Sequence, residues 1–118
     1  MEATPTDRLR NLFLEQVTHL GEHHFLVLYW STQAEGKGVR YNLTNCFDDL
    51  KYSGITRTKQ NAVATVDALA ALRFIEIRDE GNRKNIYITP YGAKALETLV
   101  LQRTFGPKKS AFLEGARA

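Results

Sequence analysis

The chain is 118 residues long, 43% hydrophobic and 25% charged, with a net charge of +3 and a pI of about 9.1. This is one domain's worth of ordinary globular composition, which excludes a disordered or collagen-like chain and allows a modest core. A single cysteine, Cys46, excludes an intramolecular disulfide framework and a cysteine-based zinc knuckle, and no run approaches the roughly 18 to 20 apolar residues of a membrane span.

The polar start, with Asp7 and Arg8 close behind Met1, lacks the apolar stretch of a secretory signal, so the expected compartment is the cytoplasm. Charge is unevenly placed. Between Lys51 and Lys84 there are seven Lys or Arg against four acids, a surplus equal to that of the whole chain. A basic middle segment suits a nucleic acid or another acidic partner.

Residues 1–5 are expected to be frayed, and Thr6 is expected to cap a first helix with Asp7 in its first turn. Leu9, Leu12, Phe13, Gln16, Val17 and Leu20 recur at helical spacing up to Gly21. A second helix over about 22–34 carries Phe25, Leu26, Leu28, Tyr29 and Trp30, dense enough to be the central core helix. Gly36 and Gly38 break it. His19, His23 and His24 invite a metal reading, but no further ligand stands at a fixed short spacing, so no metal and no cofactor are expected.

Val39 to Leu43 alternates like a very short strand. Thr44 or Asn45 is expected to cap a short helix holding Cys46, Phe47 and Leu50, with Asp48 and Asp49 near its positive end. Cys46, between apolar neighbours, reads as a small core residue. After the turn at Tyr52-Ser-Gly54, a helix capped by Thr56 or Thr58 runs to about Arg73, with Ala62, Val66, Leu69 and Ala70 inward. Two helices joined by a short Gly-containing turn form a helix-turn-helix.

Its second helix, about 57–72, opens with residues suited to DNA. Arg57 and Lys59 can pair with guanine or phosphate, Gln60 and Asn61 can make bidentate contacts with adenine, and Thr56 and Thr58 can meet phosphate. Phe74, Ile75 and Ile77 then alternate with polar residues, a polar turn follows, and Ile86, Tyr87 and Ile88 return. This hairpin, about 75–89, is a wing, with Arg78, Arg83 and Lys84 placed to reach flanking phosphates or the minor groove. Thr89 caps and Pro90 opens a last helix that Phe105-Gly-Pro107 stops, and 106–118 is expected to be a mobile tail.

At Val66-Asp-Ala-Leu69, Leu72-Arg-Phe-Ile75 and Ile88-Thr-Pro-Tyr-Gly-Ala-Lys-Ala-Leu96 the sequence resembles the winged-helix superfamily, and within it the MarR-type small transcription regulators. The resemblance spans about Phe25 to Leu101. It implies an α+β, mainly α fold: one winged helix-turn-helix domain over 1–118, core about 22–104, with additional N- and C-terminal helices. Arg73 departs from the family's pattern, standing where a Gly usually ends the helix.

The resemblance also implies a two-fold homodimer through the terminal helices, which would bury Leu9, Leu12, Phe13, Val17, Leu96, Leu99 and Val100 against a second copy. The function it implies is a sequence-specific double-stranded DNA-binding transcription regulator. A module that docks proteins without reading DNA is the alternative, since fold does not fix function. No nucleotide-binding loop, nucleophile motif or carboxylate pair points to an enzyme, and the sequence names no effector ligand.

Overall fold

The computed structural model describes residues 4–115; residues 1–3 and 116–118, part of the ends expected to be frayed, lie outside the described residues. Helix α1 (Pro5–Thr18) is capped two residues earlier than expected, because Thr4 and Asp7 form a reciprocal capping box and Pro5 fills the first helical position. Helix α2 (Glu22–Gly36) buries Phe25, Leu26, Val27, Leu28 and Trp30. Four consecutive buried residues leave no solvent face over that turn, which makes α2 the axis of the core.

The short strand expected at 39–43 is reduced to one bridge between Asn42 and Asn85, with the Ile86 amide donating to the Tyr41 carbonyl at 2.7 Å. Helix α3 (Leu43–Tyr52) is capped by Asn42, not by Thr44 or Asn45: the Asn42 side chain accepts from the Asn45 amide at 2.8 Å. That displaces Asp48 and Asp49 from the first turn to the middle of the helix, and Asp49 is fully buried. The turn through Gly54, at φ 74°, leads to α4 (Lys59–Ala71), capped by Thr58.

Just past the end of α4, Arg73 adopts φ 65° so that the Phe74 amide can return to the Leu69 carbonyl. Strands β1 (Ile75–Glu80) and β2 (Arg83–Ile88) pair antiparallel, with Ile75 opposite Ile88 and Ile77 opposite Ile86. Gly81, at φ 67°, is the first of the two residues joining them, as in a type II′ hairpin turn. Helix α5 (Pro90–Gln102) starts as expected on Thr89 and Pro90. The Thr89 hydroxyl accepts from the Gly92 amide at 2.9 Å and donates to the Arg73 carbonyl at 2.6 Å, which ties the start of α5 to the end of α4.

The chain beyond α5 is packed along its described part, which corrects the expected mobile tail. Arg103 turns left-handed at φ 54°, Phe105 packs on Phe25, and α6 (Ala111–Gly115) buries Leu113. The core thus joins α1, α2, α3, α4 and α5 with Leu113 of α6, Phe74 just before β1, and Ile75 and Ile86 of the wing. Cys46 belongs to it, fully buried, and burial together with Asp49 pushes its thiol pKa well up. No helix among the described residues is long and apolar enough to cross a membrane.

Candidate nucleic-acid interface

The first turn of α4 is presented outward because its inward positions are apolar and small. Ala62, Val66 and Leu69 are buried, whereas Lys59, Gln60 and Asn61 are exposed. The Thr58 hydroxyl oxygen accepts from the Asn61 amide at 3.2 Å, so this residue holds the helix start in place. Thr56 is buried and its hydroxyl donates to the Thr58 carbonyl at 3.3 Å. Its expected phosphate contact is therefore corrected: the turn folds Thr56 under the helix as a brace. Arg57 is exposed.

The wing carries its cations in three electrostatic states. Arg83 is exposed and free of any ion pair, as are Arg57 and Lys59 among the described residues. Lys84 lies 3.7 Å from Asp79. Arg78 lies 3.1 Å from Glu76, and its guanidinium sits 4.3 Å from the Tyr87 ring centre; bonding to Glu76 raises its pKa further. At the wing tip Glu80 accepts from the Tyr87 hydroxyl and, at 2.8 Å, from the Asn85 amide, and these two bonds lower its pKa.

Three of the expected residues converge. Lys59, Arg83 and Lys84 line one notch of about 540 Å³ together with Asn82 and the start of α3, Asn42 to Asn45. Arg57, Gln60 and Asn61 do not line it. Asn61 instead borders a separate cavity of about 400 Å³ shared with His23, His24, Ile55, Thr56, Ala64 and Thr65. Beyond the first turn the outward side of α4 carries Ala64, Asp67, Ala68 and Ala71, so its outward cationic and amide side chains are confined to the helix start.

Sequence reasoning missed the start of α3. Once Asn42 is the cap, the Leu43 and Thr44 amides are first-turn donors without an intrahelical acceptor, and they border the notch beside three cations. The usable signal was Asn42 with Asn45 three residues on, a reciprocal capping pair.

A scan against protein-family models and a search of curated proteins match nothing to this chain. Solved structures do. TubR from Bacillus megaterium pBM400 aligns over 76% of this chain and 97% of its own, at 23% identity and a TM-score of 0.65. The chain has the winged-helix fold. A MepR variant of Staphylococcus aureus, solved bound to an oligodeoxyribonucleotide, aligns over 97% of this chain and 93% of its own at 14% identity and a TM-score of 0.57. Apo MarR from Escherichia coli covers 97% and 95% at 15% identity and 0.54.

The terminal helices of this winged helix divide the residues expected at a dimer interface. Phe13, Val17, Leu96 and Leu99 are buried in the subunit's own core, Phe13 meeting Phe74 and Tyr91 edge-on at 6.2 and 4.9 Å between ring centres. Those four are corrected to subunit core, since α1 and α5 turn these sides to each other and to Phe74. Leu9, Leu12 and Val100 remain exposed, joined by Leu14 and Leu101, with Leu9 and Leu101 exposed to 68% and 73%.

Proposed function

We propose that this chain is a sequence-specific double-stranded DNA-binding transcription regulator of the cytoplasm that acts as a homodimer, without catalytic activity. The observation that carries the reading is the notch, where Lys59 from the reading helix and Arg83 from the wing, neither held by a carboxylate, stand beside Lys84 and the start of α3. A surface built this way suits a phosphate backbone running between helix and wing. On this reading Arg57, just before α4, and Gln60 and Asn61 in its first turn meet the major groove. The oligodeoxyribonucleotide on the similarly folded MepR variant supports the same reading.

Leu9, Leu12, Val100 and the neighbouring Leu14 and Leu101 form the surface offered to a second copy, because side chains of this size and exposure on adjacent helices favour burial. Size-exclusion with light scattering is expected to give twice the monomer mass at micromolar concentration; a monomer there removes the dimer. Reversing Lys59 and Arg83 to Glu abolishes mobility shift of a duplex at moderate salt on this reading. Binding that survived both changes would place the interface elsewhere.

A further inference from the structure

Asp49 is the most unusual polar residue of the chain: fully buried, it serves only as an acceptor, and its donors come from two distant places. The Tyr41 hydroxyl donates to it at 2.6 Å from just before α3. The Ser110 hydroxyl and, at 3.1 Å, the Phe112 amide donate to it from the C-terminal segment. The same segment is gripped again where Trp30 Nε1 donates to the Lys108 carbonyl at 2.8 Å. Phe105 lies against Phe25 and Phe112 against Tyr41, with ring centres 5.8 and 5.9 Å apart.

Tyr41 is also the residue whose carbonyl takes the Ile86 amide of β2, and Asn42 beside it caps α3. One carboxylate therefore connects the C-terminal segment to Tyr41, and through it to the start of α3 and to β2, the two elements that frame the notch together with Lys59. We propose that Phe105–Gly115 is a latch that holds α3 and the wing in DNA-binding register, with Asp49 as the positioning residue through which it acts. The inference rests on the DNA reading above and adds the element that controls it.

Between Gln102 and Ala111 the segment has no helix or strand of its own. Its hold on the core comes from these contacts, the buried Leu113 side chain and the Lys108–Glu22 ion pair at 3.8 Å, so it can release as a unit while the α2 core stays folded. Release would leave Asp49 with the Tyr41 hydroxyl as its one remaining donor among the described residues, Trp30 Nε1 without its partner and the α3–wing connection less constrained. Coupling of this kind is reciprocal: if the closed latch favours DNA, bound DNA must favour the closed latch by the same factor.

The full chain supplies its own reporters. Trp30 is its one tryptophan and is fully buried, so its emission reports release. The amides of Phe112, Leu113 and Glu114, bonded to Asp49, the Ser110 hydroxyl and the Ser110 carbonyl, report closure by hydrogen exchange. In the wild-type chain, adding a random-sequence duplex pool at low salt should slow exchange at these three amides. Asp49→Asn presents an amide donor to groups that already donate, and Ser110→Ala removes one donor; both should redden Trp30 emission and speed exchange at the three amides.

If the variants leave about a tenth of molecules closed, duplex affinity falls about tenfold, because only the competent fraction binds. The slope of affinity against salt stays that of the wild type, since the same phosphates are met whenever binding occurs. Unchanged exchange in the wild type on adding duplex, or variants that release the latch and keep full affinity, overturns the proposal. Should a variant unfold by circular dichroism, the wild-type exchange measurement decides alone. A wild-type chain that binds no duplex overturns the DNA reading and this coupling with it, whereas a failure of the latch alone leaves wild-type binding intact.

Discussion

Salt dependence offers the sharpest test of which cations meet DNA, because each phosphate neutralised contributes about 0.9 to the slope of log affinity against log salt. Arg57, Lys59 and Arg83 are exposed and unpaired among the described residues, whereas Lys84 and Arg78 already face Asp79 and Glu76 at 3.7 and 3.1 Å. Three free cations give a slope of about −2.7 for one subunit and about −5.4 for a pair. For the pair, raising salt from about 50 to about 200 mM then weakens binding by about three orders of magnitude. Lys59→Ala in both subunits should flatten the slope by about 1.8, and Glu76→Gln, by freeing Arg78, should steepen it by up to about the same amount. Fluorescence anisotropy with a labelled duplex at a series of salt concentrations measures both. A slope that Lys59→Ala leaves unchanged refutes the assignment of the notch as a phosphate site.

Three further outcomes test the scaffold. A methyl added at Gly92 would stand 1.8 Å from the Phe74 carbonyl oxygen, so Gly92→Ala should cost about 3 kcal/mol or more, seen as a large fall in melting temperature. Arg73 and its φ of 65° point the other way: Arg73→Gly removes a left-handed strain of about 1 to 2 kcal/mol against a glycine entropy cost of about 0.5 to 1, so the midpoint of chemical unfolding should rise slightly. His24 has its pKa lowered to about 4 by burial and by His23, while its Nδ1 accepts from the Gly21 amide at 2.9 Å. Below about pH 6.5 the unfolded chain therefore binds the proton that the folded chain resists, and stability falls from there down to about pH 4. After allowance for solvent screening at this partly exposed site the loss is about 1 to 2 kcal/mol, and His24→Asn should flatten that part of a stability–pH curve.

What was legible in the sequence was local. Thr89-Pro90 at a helix start and the apolar alternation of the wing strands each depend on neighbours a few residues away, and each formed as expected, whereas the turn expected over Asp79 to Lys84 is shorter, joining the strands through Gly81 and Asn82 alone. The Thr4 and Asn42 caps were local misreadings, whereas the docking of the C-terminal segment depended on distant partners. Asp49 looked like a helix-dipole acid, but its environment is set by Ser110 and Phe112, more than sixty residues on. Without that pairing nothing in Lys108-Lys-Ser-Ala-Phe112 distinguishes a docked segment from a tail. The candidate site divided in the same way: the exposure of Lys59 and Asn61 follows from helix periodicity, but the burial of Thr56 follows from how the turn folds beneath them. A hydrophobic stripe likewise identifies which side of α1 is buried without saying whether α5 or a second copy covers it.

The joint between α4 and α5 bears on how a dimer would read DNA. The Thr89 hydroxyl and amide both donate to backbone carbonyls where α4 ends, at Arg73 and Phe74, and Gly92 lets the first turn of α5 press against Phe74. Three backbone contacts within four residues leave little freedom between the reading helix and the helix that carries Val100 and Leu101. In the proposed dimer, α5 packed against its copy would therefore fix the separation of the two reading helices, and half-sites about 34 to 36 Å apart are the ones that fit such a pair. Thr89→Val keeps the β-branched shape but removes the hydroxyl from the joint. Selection from a random duplex pool should then return one half-site spacing for the wild type and a wider set of spacings for this variant, at similar affinity per half-site. Equal spacing preferences in the two proteins would show that something other than this joint sets the distance.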